Sequence, residues 1–304
     1  MKIIFFGTPA FAIPSLQIIL DHRHEVAAAV TAPDKPRGRG KQVSFTPIKA
    51  FALEHSIKVL QPENLKDENF IAELEELNAD LFVVVAFRIL PKKIFSMPKF
   101  GSFNLHGSLL PKFRGAAPIQ WALIKGEKTT GVTTFALAEK VDTGNVYLKK
   151  EIPIEDEDNF GSLHDKLSSL GSQAVIETVK MIALQSPQMR DQLLPQDNSA
   201  ATPAPKITKE LCAINWAWDA VEIHNLVRGL SPFPAAFFVH QQKTYKVYKT
   251  KVVERNLAPG EIQETPAELI FGCGNNSLSI LEIQQEGKKR LKIEEFLRGY
   301  RFNK

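Results

Sequence analysis

Cysteine is scarce in this sequence. Cys212 and Cys273 are the only two in 304 residues, about sixty apart and without ligand-like spacing. That excludes a disulfide framework and argues against a metal site. No run of eighteen apolar residues occurs, so no membrane span is expected. Residues 1–7 lack the long apolar core and small-residue cleavage site of a secretory leader, and they read as a strand instead. A cytoplasmic protein is therefore expected. The first strand–helix turn, Gly7-Thr8-Pro9-Ala10-Phe11, carries no G-x-G-x-x-G, which argues against a dinucleotide site. There is no Ser-His-Asp order of the hydrolase kind, no internal repeat and no low-complexity tract. A large excess of one charge is also missing: 38 Lys and Arg face 34 Asp and Glu, a net charge of +4. Residues 1–205 hold 23 of each sign, and residues 206–304 hold 15 basic and 11 acidic. The whole excess lies in the C-terminal third, where it points to an anionic partner.

Hydrophobic content of 44% and charged content of 24% are those of an ordinary globular protein, and the length suits two domains. Residues 3–6, 26–31, 81–86 and 103–106 are short apolar runs bounded by turn residues, as buried strands are. Helical stretches such as 71–77 lie between them. This alternation predicts an α/β fold with a Rossmann-like, doubly wound, mostly parallel sheet, which binds ligands beyond the carboxyl ends of its strands. An amphipathic helix over 160–184 closes a first domain, 1–185. Residues 186–205, rich in Gln, Pro, Ser and Ala, read as a linker. In the second domain, 206–304, a helix over 219–230 with Asp219 as N-cap precedes short alternating runs at 236–240, 245–250, 260–263 and 278–281. Such runs suggest a small β-barrel. Trp216 and Trp218 read as packing residues.

The chemistry concentrates in Asn104-Leu105-His106-Gly107-Ser108-Leu109-Leu110-Pro111, followed by Arg114-Gly115 and, thirty-six residues past His106, by Asp142 in Val141-Asp142-Thr143-Gly144. Asn104 and His106 stand at i and i+2 near a strand end and share a face. An amide and an imidazole can stabilise a developing oxyanion, and a carboxylate can manage protons. The trio therefore suits acyl transfer to an amine. Asp34 is followed by Lys35, Arg37, Arg39, Lys41 and Lys49, with Gly38 and Gly40 between. A basic, glycine-bearing loop of this kind suits phosphate contact.

N-x-H-x-S-L-L-P-x-x-R-G with a later D-x-G resembles the folate-dependent formyltransferases. Phe6-Gly7-Thr8-Pro9, Ala32-Pro33-Asp34-Lys35-Pro36 with Gly38-Arg39-Gly40, and Arg114-Gly115-Ala116-Ala117-Pro118-Ile119-Gln120-Trp121 extend the resemblance over essentially the whole chain, toward the members that act on methionyl-tRNA. It implies Asn104, His106 and Asp142 as catalytic residues and 10-formyltetrahydrofolate as co-substrate, with no metal. It implies a folate pocket built from Phe87, Arg88, Ile89, Leu90, Ser108, Leu109, Leu110 and Pro111. Ala86–Pro91 is one residue shorter than the A-Y-G-x-I-L-P of many such members and is similar to the stretch where glycinamide ribonucleotide formyltransferases meet the pterin. The resemblance further implies initiator methionyl-tRNA as partner, with Arg37, Arg39 and Lys41 beside its acceptor stem, and an OB-like C-terminal barrel with Lys243, Lys246, Lys249, Lys251 and Lys288-Lys289-Arg290 near the backbone. A monomer is expected. A small amine as acceptor, such as glycinamide ribonucleotide or an amino-sugar nucleotide, stays open at this point, and so does a non-catalytic RNA-binding role.

Overall fold

A computed structural model describes residues 1–37, 42–184 and 193–302. β1 (Lys2–Gly7), β2 (Glu25–Val30), β3 (Val59–Leu60), β4 (Leu81–Val85), β5 (Ser102–His106), β6 (Thr129–Ala136) and β7 (Val146–Pro153) form one sheet in the order β7-β6-β5-β4-β1-β2-β3. The strands from β3 through β5 in that order run parallel, and β6 is antiparallel to β5. Helices α1 (Ile13–Asp21), α2 (Pro47–Glu54) and α3 (Glu68–Glu76) link the first four strands, α4 (Lys92–Phe95) precedes β5, and α5 (Pro118–Ile124) lies between β5 and β6. This is the Rossmann-like architecture expected from the alternation of apolar runs.

The local causes are legible. All five residues of β4, Leu-Phe-Val-Val-Val, are buried, as a strand covered on both faces requires. α3 starts where the Asp67 carboxylate accepts the Phe70 N–H at 3.0 Å, an N-cap that satisfies an otherwise orphan donor. It turns Phe70, Ile71 and Leu74 to the core. Gly7 stands opposite Val85, and Val85 opposite Leu105. The ends of β1, β4 and β5 are thus level, and their following loops rise from one edge. Leu105 points away from Asn104 and His106 and is 3% exposed. It meets α6 (Phe160–Leu184) at Gly171, where a Cβ would fall 2.6 Å from the Leu105 Cδ2.

The chain divides into two compact units. One comprises residues 1–115, 131–152 and 165–203, and the other comprises 116–130, 153–164 and 204–304. In the second, α5 packs on α7 (Ala220–Leu230): a Cβ on Gly229 would lie 2.7 Å from Ile124. Asp219 precedes α7 in extended conformation, and its N–H is accepted by Glu222 at 3.1 Å. β8 (Ala236–His240), β9 (Lys243–Val253), β10 (Ile262–Glu264), β11 (Leu269–Gly272) and β12 (Ser277–Gln285) form a curled antiparallel sheet in the order β8-β9-β12-β11-β10, with β13 (Leu291–Lys292) on β12. This half-barrel is the OB-like domain. β9 and β12 run well beyond the expected 245–250 and 278–281, and β11, a four-residue run, was not among the expected strands. Trp216 stacks on Phe271 with centroids 4.2 Å apart and packs in the core as expected. Trp218 is 39% exposed and is not a core residue.

Two outcomes follow from this packing. Cys212 and Cys273 are free and buried, and burial pushes the Cys273 thiol up to about 11. Only the thiolate reacts, so at pH 8 neither should consume a thiol reagent until denaturant unfolds the protein. Leu105→Ala should cost about 2–5 kcal/mol in urea denaturation, as buried leucines do when a cavity replaces them. It should also lower activity, because it loosens the strand that bears Asn104 and His106.

Candidate active site

β5 delivers Asn104 and His106 to one face at its carboxyl end. Asn104 is half-buried, and its amide bonds to no described residue. His106 is 6% exposed, and its Nε2 lies 2.9 Å from the Phe113 carbonyl. A carbonyl only accepts, so Nε2 carries the hydrogen and Nδ1 is the atom turned toward Asp142. The Asp142 Oδ2 stands 4.0 Å from that Nδ1 and accepts the Gly115 N–H at 2.9 Å. The Phe113 carbonyl, which the turn after β5 brings under the ring, fixes which ring nitrogen faces Asp142. The carboxylate comes near without a direct hydrogen bond.

Asp142 reaches this place through a strained turn, with φ of +55°. Gly144 makes the turn possible. A Cβ there would lie 1.7 Å from the Ala136 carbonyl oxygen, so D-x-G needs glycine for close backbone approach. Gln196 spans the same turn. Its Nε2 donates to the Asp142 and Gly144 carbonyls at 3.0 and 2.8 Å, and its Oε1 accepts from the Arg114 guanidinium at 3.2 and 2.7 Å. Gln196 falls in the stretch read as a linker. The described part of that stretch is tied down further, since Thr202 bonds the Phe113 and Arg114 amides at 2.8 and 2.9 Å. Composition hid this, because polar, proline-bearing sequence reads alike whether it is free or strapped.

The Ser108–Pro111 turn is closed from β6. Thr133, paired with His106 across the strands, donates to the Ser108 carbonyl at 2.7 Å and accepts from the Leu110 N–H at 3.0 Å. Ser108 and Leu110 are fully buried. The Ser108 hydroxyl donates to the Lys112 carbonyl at 2.6 Å, and Leu110 packs on Phe135 and Val146. These two shape the turn, while Leu109 and Pro111 keep accessible surface. In the loop after β4, Phe87 packs edge-on against Phe6 at 5.6 Å, Leu90 is buried and Ile89 is 72% exposed. The Arg88 guanidinium turns to the Pro62 and Glu63 carbonyls at 2.7 and 3.0 Å, and its burial lowers its proton affinity. Arg88 thus braces the loop through its side chain. A separate cavity of about 330 Å³, lined in part by Ser102, Leu137 and Thr143, includes neither Asn104 nor His106.

Of the basic loop, the backbone of Arg37 lies in a short antiparallel pair, Lys35–Arg37 with Gln42–Ser44. Arg39 and Lys41 lie outside the described residues. Lys49 is paired with Asp34, whose other oxygen accepts from Gln61 at 3.0 Å. The Lys49 and Gln61 bonds hold the Asp34 carboxyl below its usual range, and Lys49 is a structural cation at the base of the loop. In the half-barrel, Lys249 bonds Glu157 at 2.7 Å and Arg290 pairs with Glu282, whereas Lys251, Lys288 and Lys289 are exposed.

The formyl transferase family matches residues 1–179, and the formyl transferase C-terminal domain matches residues 206–301. The chain belongs to the formyl transferase family. It is 47% identical over 306 residues to a methionyl-tRNA formyltransferase of Caldanaerobacter subterraneus subsp. tengcongensis, covering 99% of this chain and 97% of that one. Among solved structures it resembles WlaRD, a sugar 3N-formyl transferase, at 21% identity with a TM-score of 0.68 over 95% of this chain and 99% of that one. It also resembles HypX from Aquifex aeolicus in complex with tetrahydrofolic acid, at 18% identity and a TM-score of 0.67 over 98% of this chain, which spans about half of HypX. At such identities the two structures show the fold alone. No described helix of this formyl transferase is long and apolar enough to cross a membrane.

Sequence reasoning passed over three participants: Phe113, Thr133 and Gln196. Phe113 acts through its carbonyl, which leaves no side-chain signal, and Thr133 announces itself only once β6 is registered against β5. The clearance at residue 144 gives the direct check. Gly144→Ala should shift the turn by about an ångström and lower the rate about 10²-fold, with a much smaller change in melting temperature when assay and thermal melt are run on one preparation.

Proposed function

We propose that the protein transfers the formyl group of 10-formyltetrahydrofolate to the α-amino group of methionyl-initiator tRNA, preparing it for translation initiation. The observation that carries this reading is the identity of 47% over nearly the whole chain with a methionyl-tRNA formyltransferase. The local chemistry suits it. Phe87 seated on Phe6, with Ile89 exposed beside it, makes an apolar ledge that fits a flat heterocycle. The register of β4 against β5, Val84 opposite Asn104, starts the loop that bears Phe87 from the same sheet edge as the loop after Asn104, which suits such a pocket.

10-Formyltetrahydrofolate supplies the carbon to be transferred. Asn104 donates a side-chain N–H to the oxygen on which negative charge develops, and its amide is already available for that. His106 is locked by Phe113 with Nδ1 facing Asp142, and Nδ1 donates to the same charge once it has taken up a proton. Asp142, held by the Gly115 N–H, takes up the proton that the attacking amine sheds and returns it toward the leaving nitrogen. The 4.0 Å between Nδ1 and Oδ2 leaves the two groups able to act on one proton in turn. An α-amine with an ordinary pKa near ~8 keeps a neutral fraction at pH 7, so the residues need mainly to orient and to stabilise charge. Arg37, Arg39 and Lys41 contact acceptor-stem phosphates, and Lys251, Lys288 and Lys289 in the half-barrel contact tRNA phosphates as well. The catalytic chemistry lies in residues 1–185, and residues 206–304 bind tRNA.

Purified protein assayed with 10-formyltetrahydrofolate and either methionyl-tRNA or glycinamide ribonucleotide tests the acceptor, and preference for the ribonucleotide would sink the proposal. Asn104→Ala and His106→Ala should each lose about 10²–10³ in single-turnover rate with folate affinity retained, the usual cost of an oxyanion donor. Asp142→Asn keeps the shape and removes the charge. It should lose rate comparably with an unchanged melting temperature, whereas loss of stability at full specific activity would reduce Asp142 to a turn residue. Arg39→Ala should weaken tRNA binding, leave folate binding intact, and lower the slope of log affinity against log salt by just under about one unit. An unchanged slope removes Arg39 from the phosphate contacts.

A further inference from the structure

Gln196 belongs to none of the groups so far given a chemical task, yet its side chain is fully committed. Its amide hydrogens reach the Asp142 carbonyl at 3.0 Å and the Gly144 carbonyl at 2.8 Å. Its oxygen receives the Arg114 Nε and Nη2 at 3.2 and 2.7 Å. The orientation is unambiguous. Guanidinium nitrogens only donate and carbonyls only accept, so a flipped amide would lose all four contacts.

The contacts close a circuit. Arg114 precedes Gly115, and the Gly115 N–H is the donor that holds the Asp142 carboxylate at 2.9 Å. Gln196 therefore grips the turn that carries Asp142 and, through Arg114, the turn that carries its hydrogen-bond donor. Asp142 needs such support. With φ at +55° it keeps a conformation that non-glycine residues hold only when the surroundings over-determine it. Apart from these bonds the turn has a local closure, Thr143 Oγ1 to the Lys140 carbonyl at 2.8 Å, and that bond does not tie it to the Gly115 side. The Val146 N–H bond to the Leu194 carbonyl at 2.9 Å brings the strap bearing Gln196 alongside the turn.

We infer that Gln196 is a positioning residue for the formyl transfer, setting the place of the Asp142 carboxylate relative to His106 by clamping the 142–144 backbone to the Arg114–Gly115 turn. The inference rests on the proton-handling role proposed for Asp142. Gln196→Glu is the informative variant, because it keeps the acceptor for Arg114 and sets an oxygen against two carbonyls that need a donor. In the full-length protein, with active sites counted by folate titration, kcat should fall about 10–100-fold while KM for tRNA and for folate stays within about threefold.

A merely structural role is separated by a double-mutant cycle. In an Asp142→Asn background, Gln196→Glu should cost less than about threefold, since the carboxylate it positions is already gone. Where Gln196→Glu does not fold, Gln196→Met, of similar length and without hydrogen bonds, gives the same reading. Losses that multiply in the double variant, or a near-wild-type rate in the single one, overturn the inference. A fully active Asp142→Asn would strike the proposed mechanism itself, whereas an impaired Asp142→Asn with multiplying losses strikes the role of Gln196 alone.

Discussion

A missing side chain at residue 144 sets the geometry on which the rest depends. The 142–144 turn can bring Asp142 to His106 because the Gly144 backbone lies against the Ala136 carbonyl, where any Cβ would sit 1.7 Å from oxygen. Backbone cannot yield as a side-chain tip can, so the approach is fixed by exclusion. The left-handed Asp142 is the counterpart of that approach. It is a conformation of typical cost about 1–3 kcal/mol, sustained by five polar contacts at Gly115 and Gln196. Strain and clamp together give a carboxylate with one position.

The imidazole is held on the same principle by a different part of the chain. Phe113, itself left-handed at φ of +59°, offers its carbonyl to Nε2. That fixes which nitrogen looks outward without engaging any ionisable neighbour. Main-chain groups thus orient both polar residues of the proposed proton path. Such groups do not titrate, so the orientation persists whatever protons move through His106 and Asp142. Preorganisation of this kind costs little reorganisation during reaction, and this is where oxyanion-type catalysis gains most.

Much of this was legible in the sequence. The apolar runs of β1, β4 and β5 could only be buried parallel strands, and the i, i+2 spacing of Asn104 and His106 placed both on one face of β5, as the structure has them. Asp142 was recognisable from D-T-G. What stayed hidden was relational. That Arg88 would brace the loop with its guanidinium and that Lys49 would be neutralised by Asp34 depend on contacts between separate segments, and that the hydroxyl of Ser108 would close its own turn depends on a four-residue contact; local periodicity carries no signal for either. The expected linker is the sharpest case: residues 194–202 are polar and proline-bearing because their partners are backbone amides and carbonyls, not because they are free.

Composition at a strap is therefore a poor guide to its mobility, and hydrogen-bond demand is a better one. The turns at 113–115 and 142–144 leave amides and carbonyls that the seven-stranded sheet does not satisfy, and buried or half-buried groups of that kind must find partners. Thr202 and Gln196 meet that demand on neighbouring turns. A glutamine suits the second place because one side chain can donate twice and accept twice. A charged residue could serve only one side of the circuit, and a shorter amide could not bridge it.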